Sequence, residues 1–316
     1  VPLKARVTTA IAECSIVDWL TILYLTGLNL ALYVAEPSAM RTANLWRFGG
    51  IWFAYLACIG FVRGFAGAPA WWRAFVFRTA QFGALLGTYL LFRDYLPVVN
   101  TGTLDLELYQ LDLAWFGWEP ALWLDSRVTP FWTEWFAFFY YSYFYLLAAH
   151  IGPILYTRGG ERTLATFGTG MTVAACIGHT AYILVPGFGP FKALADQFQT
   201  PLEGGLFWDL VQQTVAAGGA QKDIFPSMHT AFPTFVALLS FHYRKLPPFR
   251  YTWPVVAFIV VNIIGATMYL RWHYLIDVIA GLALAGVAFA ASILIVRFEE
   301  RARSRRGLSA AWPSWR

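Results

Sequence analysis

Two histidines stand in settings suited to phosphoryl chemistry. In the run YLRWHYLIDVIAG, residues 269–281, His273 and Asp277 are four apart at the start of an apolar helix. That spacing puts them on one face. A carboxylate so placed accepts the proton of one ring nitrogen and holds the other toward a substrate, the arrangement that activates a nucleophile. Arg271, two residues earlier, can offer a phosphate a planar fork of donors. In KDIFPSMHTAF, residues 222–232, Ser227 follows Pro226 and reads as a helix N-cap. The unpaired N–H groups of the next turn, with the helix dipole, form an anion site. His229 lies in that turn, and Lys222 lies just upstream. A lone His at a helix end is ordinarily an interfacial residue. Several ionisable groups converging on the ends of apolar segments are costly and mark function.

These residues resemble a known family. Pro226, Ser227, Met228 and His229 resemble the Pro-Ser-x-His motif of the type 2 phosphatidic acid phosphatase superfamily, and His273 to Asp277 resembles its His-x-x-x-Asp motif. The His-Tyr-x-x-Asp form, with Phe225 before Pro226, is closer to the inositol phosphorylceramide synthase and sphingomyelin synthase branch. The segment VPGFGPF, residues 185–191, resembles the Pro-x-x-Gly-Pro of that branch. The resemblance covers roughly 74–298. It implies His273 as the nucleophile that takes the phosphoryl group as a phosphohistidine, Asp277 as its orienter, and His229 as the acid that protonates the leaving group and later the base. The Lys-x6-Arg-Pro motif of the phosphatase members is absent, and Lys192 is the substitute phosphate ligand, alongside Arg271, Lys222 and Ser227. Met228 stands where many phosphatases have Gly, and their Ser-Arg pair falls on Ala266 and Thr267. These departures favour a transferase that moves a phospho-headgroup, such as phosphoinositol, from a phospholipid to a lipid alcohol.

The elements that must position these residues lie in a bilayer. The 316 residues are 58% hydrophobic and only 13% charged, against roughly 25% charged for a soluble chain. Mean hydropathy is +0.53. Aromatics are 18% of the chain, with 15 Trp, a residue that favours the headgroup level. The net charge of +5 is scattered between apolar runs and in the last twenty residues, not gathered on one face, so nucleic acid is not expected as a partner. Cys14, Cys58 and Cys176 are far apart and give neither a disulfide framework nor zinc spacing. The N-terminus shows no cleavable signal peptide, and no internal repeat is visible.

A spanning helix needs about 20 mostly apolar residues. Segments near 15–34, 48–66, 74–96, 131–156, 163–186, 229–246, 252–270 and 273–297 meet this, predicting an all-α integral membrane protein of about eight transmembrane helices. Residues 1–73 form two accessory spans. Residues 74–298 form a six-helix catalytic core, with an amphipathic interfacial helix at about 103–124 carrying Asp105, Glu107 and Asp112 on a solvated face. Residues 299–316 form a basic cytoplasmic tail, either a solvated stop-transfer tail or a juxtamembrane segment suited to anionic lipid. With both termini inside, 16 of the 23 Lys and Arg are cytoplasmic, and Arg41, Arg47, Arg93, Arg127, Lys192, Lys222 and Arg271 are not. His229, His273 and Asp277 then share the non-cytoplasmic face.

His179, within the fifth span, is a candidate cavity residue or a helix-packing one. Glu134 is a candidate headgroup ligand or an interfacial residue. No metal or other cofactor is expected, since cations and a helix N-terminus can balance phosphate charge. The expected partners are the bilayer, a phospholipid donor, and a lipid or water acceptor; the sequence carries no signal of oligomeric state. Transfer to water would make the protein a lipid phosphate phosphatase by the same intermediate. A proton-coupled transporter is the reading from another class. It predicts ionisable groups near mid-membrane and repeated, broken helices, whereas these cluster at helix ends.

Overall fold

The computed structural model describes residues 3–156 and 161–315. Arg158 and Arg316, both counted above on the cytoplasmic side, lie outside the described residues. The described chain is helical: α1 (Leu3–Glu13), α2 (Ile16–Val34), α3 (Ala39–Gly64), α4 (Ala70–Leu90), α5 (Phe92–Val99), α6 (Asp105–Phe116), α7 (Pro120–Leu124), α8 (Pro130–Tyr156), α9 (Glu161–Leu184), α10 (Pro190–Ala193), α11 (Leu206–Gly218), α12 (Met228–His242), α13 (Phe249–Tyr269) and α14 (Leu275–Arg306). Among the described residues there is no strand, only an isolated parallel bridge between Gly187 and Asp223.

Each of the eight segments read as spans is a helix or a bent helix pair. Five, namely α2, α3, α9, α13 and α14, are long and apolar enough to cross a bilayer. A sixth is the pair α4 and α5, bent by 63° at Leu91. The two that fall short do so for different reasons. The helix α12 has 15 residues, and at about 1.5 Å per residue it does not cover a hydrocarbon core of about 30 Å. The helix α8 has 27 residues, but its run of Trp and Tyr lowers its hydropathy. Such residues suit the interface, where ring and polar tip are both satisfied.

The helices group into two compact units. The first comprises residues 1–99, 152–176 and 288–316. Its interior holds polar side chains that join helices. Ser15 and Asp18 form a capping box at the start of α2. The fully buried Arg63 donates to both carboxylate oxygens of Asp18, at 2.9 and 3.2 Å. Tyr55 donates to Gln81, whose amide in turn donates to Thr21 and Thr172. In an apolar setting such bonds hold because the alternative is an unsatisfied polar group.

The end of the chain belongs to this unit too. The segment after Arg306 folds back on it, unlike the solvated basic tail expected from the composition. The ring of Trp312 is buried edge-on to Phe77 at 5.0 Å, and its indole N–H donates to Thr169. Only a glycine leaves room for it at 168, where a Cβ would meet the indole at 2.1 Å. Arg63 and Arg78 donate to the backbone carbonyls of Ala310, Ala311 and Pro313.

The second unit comprises residues 100–151 and 177–287. It holds α6, α7, α10, α11, α12 and α13, α8 as far as Ile151, the end of α9 and the start of α14. It also holds every residue with candidate chemistry.

Candidate active site

Three loop segments converge here, and backbone bonds fasten them together. The first is 185–191, after α9. The second is 222–229, entering α12. The third is 271–277, from the turn after α13 into the first turn of α14. Gly187 N–H donates to the Lys222 carbonyl, Phe191 N–H to that of Arg271, and Ser227 N–H to that of Asp277, the last at 3.0 Å. Glycine is required twice in the first segment. A Cβ at Gly187 would meet Ile224 at 2.6 Å, and one at Gly189 would meet the Trp272 carbonyl at 2.3 Å. Gly189 also has φ +92°, a region that favours glycine.

Carboxylates on α6 brace these loops from behind. Asp105 and Asp112 are seven apart, two helical turns, so they share a face. One oxygen of Asp105 accepts from Gly189 N–H at 2.8 Å, and both accept from Phe188 N–H. Asp112 accepts from Leu275 N–H at 2.7 Å and Ile276 N–H at 2.8 Å. Those amides open α14 and have no partner within the helix. Tyr274 is fully buried, and its hydroxyl lies 3.4 Å from Asp105. The solvated face expected for Asp105 and Asp112 is therefore a buried one. These carboxylates fix backbone and do not meet water.

The two histidines meet within this frame. Their ring centroids are 6.5 Å apart. His273 Nδ1 lies 3.5 Å from Asp277 Oδ2, with both side chains buried. That oxygen also accepts from Tyr274 N–H at 2.9 Å, which fixes its direction. The spacing read as i, i+4 on one face does bring this pair together. His273 sits in the turn between α13 and α14, outside both helices. Burial pushes its imidazole down to about 4, while the Asp223 carboxylate and the Ile224 backbone pull the other way. The ring is consequently held as the free base at neutral pH. Ser227 caps α12 by accepting from Thr230 N–H. His229, in the first turn, stacks on Tyr140 at 4.4 Å and meets Tyr143, tilted by 35°, at 4.3 Å. Its Nε2 is buried and has no hydrogen-bond partner.

The cations read as phosphate ligands are differently engaged. Arg271, with φ +64°, donates to Asp125 at 2.8 Å and to the Thr200 carbonyl, and its guanidinium lies 3.9 Å over the Phe198 ring. Its Nε has no partner. Lys222 Nζ donates to three carbonyls, those of Asn100, Thr101 and Gly102, so its three N–H groups are taken. Lys192 is exposed, its ammonium 3.5 Å from the centre of the Phe188 ring. Both Glu134 oxygens accept backbone N–H groups, from Gly205, Phe207 and Trp208 at the start of α11. His179 is buried in α9 beside Tyr182. No group of three or more His, Cys, Asp or Glu with metal-site geometry occurs among the described residues.

The sequence reasoning missed Asp125, Tyr140, Tyr143, Asp223 and the bracing role of Asp105 and Asp112. The seven-residue spacing of the last two was a usable signal, as was the i, i+3 spacing of Tyr140 and Tyr143 on α8. Asp125 and Asp223 act across long sequence separations that no local pattern reveals.

No curated protein and no solved structure matches the chain. A family model described as the PAP2 superfamily matches residues 106–291, more than half of the chain and inclusive of all three loop segments. On that match, with the paired histidine motifs inside it, the chain belongs to the PAP2 superfamily.

Proposed function

We propose that this protein is a membrane phosphotransferase that moves a phospho-headgroup from a phospholipid to a lipid alcohol through a phosphohistidine at His273. Superfamily membership supports phosphatase or phosphotransferase action on lipids. The observation that carries the mechanism is the pairing of His229 and His273, 6.5 Å apart, with Asp277 behind His273.

In the first step His273 Nε2 attacks phosphorus and the bond from phosphorus to the lipid oxygen breaks. Protonated His229 gives its proton to that oxygen, and the lipid alcohol departs. Asp277 holds the Nδ1 proton of His273 and balances the charge that develops on the ring. In the second step His229 takes the proton of the acceptor hydroxyl. The acceptor oxygen attacks phosphorus, and the bond to His273 Nε2 breaks. Ser227 and the open N–H groups of α12 face the phosphoryl oxygens. Arg271 reaches them once it leaves Asp125.

Burial of His273 among Tyr274, Ile224 and the aromatic rings around His229 supports a lipid alcohol over water as acceptor. Phosphoinositol is the headgroup that the motif forms favour, and the site faces away from the cytoplasm on the Lys and Arg distribution. The same intermediate released to water would be that of a lipid phosphate phosphatase. Radiolabelled phosphatidylinositol and phosphatidic acid, supplied with and without ceramide or diacylglycerol, separate the two. Label on a new lipid only with acceptor establishes transfer. Water-soluble labelled phosphate, whatever the acceptor, makes the protein a phosphatase and overturns the transfer reading.

A further inference from the structure

We infer that Tyr140 and Tyr143 form an aromatic clamp against the ring of His229, and that this clamp is what makes His229 an effective proton donor and acceptor. The inference rests on the phosphohistidine reading above and assigns it two positioning residues.

The aromatic run from Phe131 to Phe144 in α8 has a simple reading as a membrane-interface belt, and half of its rings, Phe131, Trp132, Trp135, Phe138 and Phe144, are exposed. Tyr140 and Tyr143 depart from that pattern. They are three apart, so they share one face of α8. Tyr140 is buried, and Tyr143 is partly so. Tyr140 lies nearly parallel to the imidazole of His229, with an interplanar angle of 12°, and Tyr143 is tilted by 35°. Both centroid separations, 4.4 and 4.3 Å, sit at the short end of ring-pair distances. Trp272, the neighbour of His273, lies 6.1 Å from Tyr140 at 28°. One phenol therefore stands beside both histidine segments.

Two consequences follow for the chemistry. An imidazole packed against two aromatic rings at these distances keeps its in-plane nitrogens in one direction, and its buried Nε2 has no partner. A ring that carries the proton between the two steps is a cation in a water-poor place, and aromatic faces attract a cation through their quadrupole. The clamp supplies orientation and charge stabilisation through the ring faces, so the phenol hydroxyls are dispensable and the rings are not.

The test uses the full chain in lipid micelles, with Tyr140 and Tyr143 each changed to Phe and to Leu. Each variant is assayed on two donors of the same phosphoryl group. Phosphatidic acid must expel a lipid alkoxide and needs a proton donor; p-nitrophenyl phosphate expels a stable phenolate and does not. General acid catalysis contributes about 10²–10⁴-fold. Tyr→Leu is expected to lower the single-turnover rate of diacylglycerol release from phosphatidic acid by at least about tenfold and to leave the p-nitrophenolate burst, the same first step without need of an acid, within about threefold of wild type. Tyr→Phe is expected to keep both. Equal loss on both donors, loss in the Phe variants, or unchanged Leu variants overturns the clamp.

A second readout needs no turnover. Carbethoxylation of His229 by diethyl pyrocarbonate, followed by mass spectrometry, should rise severalfold in Tyr143→Leu and not in Tyr143→Phe. An unchanged rate overturns the clamp. Failure of the underlying reading shows separately, as wild-type turnover in His273→Ala.

Discussion

Asp112 is the test of how the catalytic helix is held. Its two oxygens accept from Leu275 N–H and Ile276 N–H, at 2.7 and 2.8 Å, at the start of α14. Asp277 lies one and two residues beyond those amides, and His273 two residues before the pair begins. Hydrogen bonds to a charged group contribute about 1.5–3 kcal/mol each. Asp112→Ala leaves two buried amides unpaired, a loss of about 3–6 kcal/mol on that figure. Asp112→Asn keeps one acceptor oxygen and turns an N–H₂ toward the other amide, so at least one bond, about 1.5–3 kcal/mol, is lost. The assay is thermal unfolding in detergent by tryptophan fluorescence, beside kcat measured well below the transition. Both variants should melt lower, Ala more than Asn. Turnover should fall on the order of 100-fold in Ala, because small misplacements of reacting groups cost about that much. A pair of variants that melt with wild type and retain kcat would refute the bracing role of α6.

Three further perturbations follow from the same geometry. Burial holds His273 near 4, and the neutral ring is the reactive form, so the acid limb of kcat/KM should fall near pH 4 and not near the usual 6.5. Asp223 raises that value, so Asp223→Asn should move the limb further toward acid; a limb that stays put or moves up contradicts the electrostatics. Glu119 is buried between α6 and α7 and raised to about 7 by burial, with Asp112 and Asp277 adding to it against the Leu122 and Ala121 amides. Its folded value exceeds its unfolded one, so the stability it contributes is full below the unfolded value and lost as pH rises through about 7. Glu119→Gln should therefore melt higher than wild type at pH 8 and show no such gain at pH 5. Trp312→Ala removes a buried ring from its slot beside Gly168 and should cost about 3–5 kcal/mol, read as a lower unfolding temperature. A melt identical to wild type would mean that the fold-back of the tail is not holding the first unit.

Much of the site was legible because its chemistry is local. The His273–Asp277 pair is a helix-face relation, and Ser227 as N-cap with His229 in the next turn is a one-turn relation. In the structure His273 reaches within 3.5 Å of Asp277 from the turn before the helix, and Ser227 caps α12. The helices were legible for a similar reason, since hydropathy over about 20 residues needs no knowledge of the fold. What the sequence hid depends on partners far away. Lys222 has the residue type of a phosphate ligand, yet three carbonyls from residues 100–102 enclose it. Glu134 has the residue type of a headgroup ligand, yet a loop seventy residues on supplies it with three amides. The tail reads as solvated because it is basic, but Arg303 lies buried against Glu13 and the Ser309 carbonyl, and Trp312 fills a slot that only Gly168 leaves open. Composition gives charge. Burial and partner are tertiary facts.

The central claim is a covalent phosphorus–nitrogen bond at His273, and it can be trapped directly. Protein in lipid micelles is given phosphorus-labelled phosphatidylinositol or phosphatidic acid without acceptor, quenched in base, digested and sequenced by mass spectrometry. Phosphohistidine is stable in base and released by acid, unlike phosphoserine. The account predicts acid-labile label on the peptide carrying His273, absent in His273→Ala and discharged when ceramide or diacylglycerol is added to wild type. Turnover in His273→Ala, or label carried by a different residue, would contradict it.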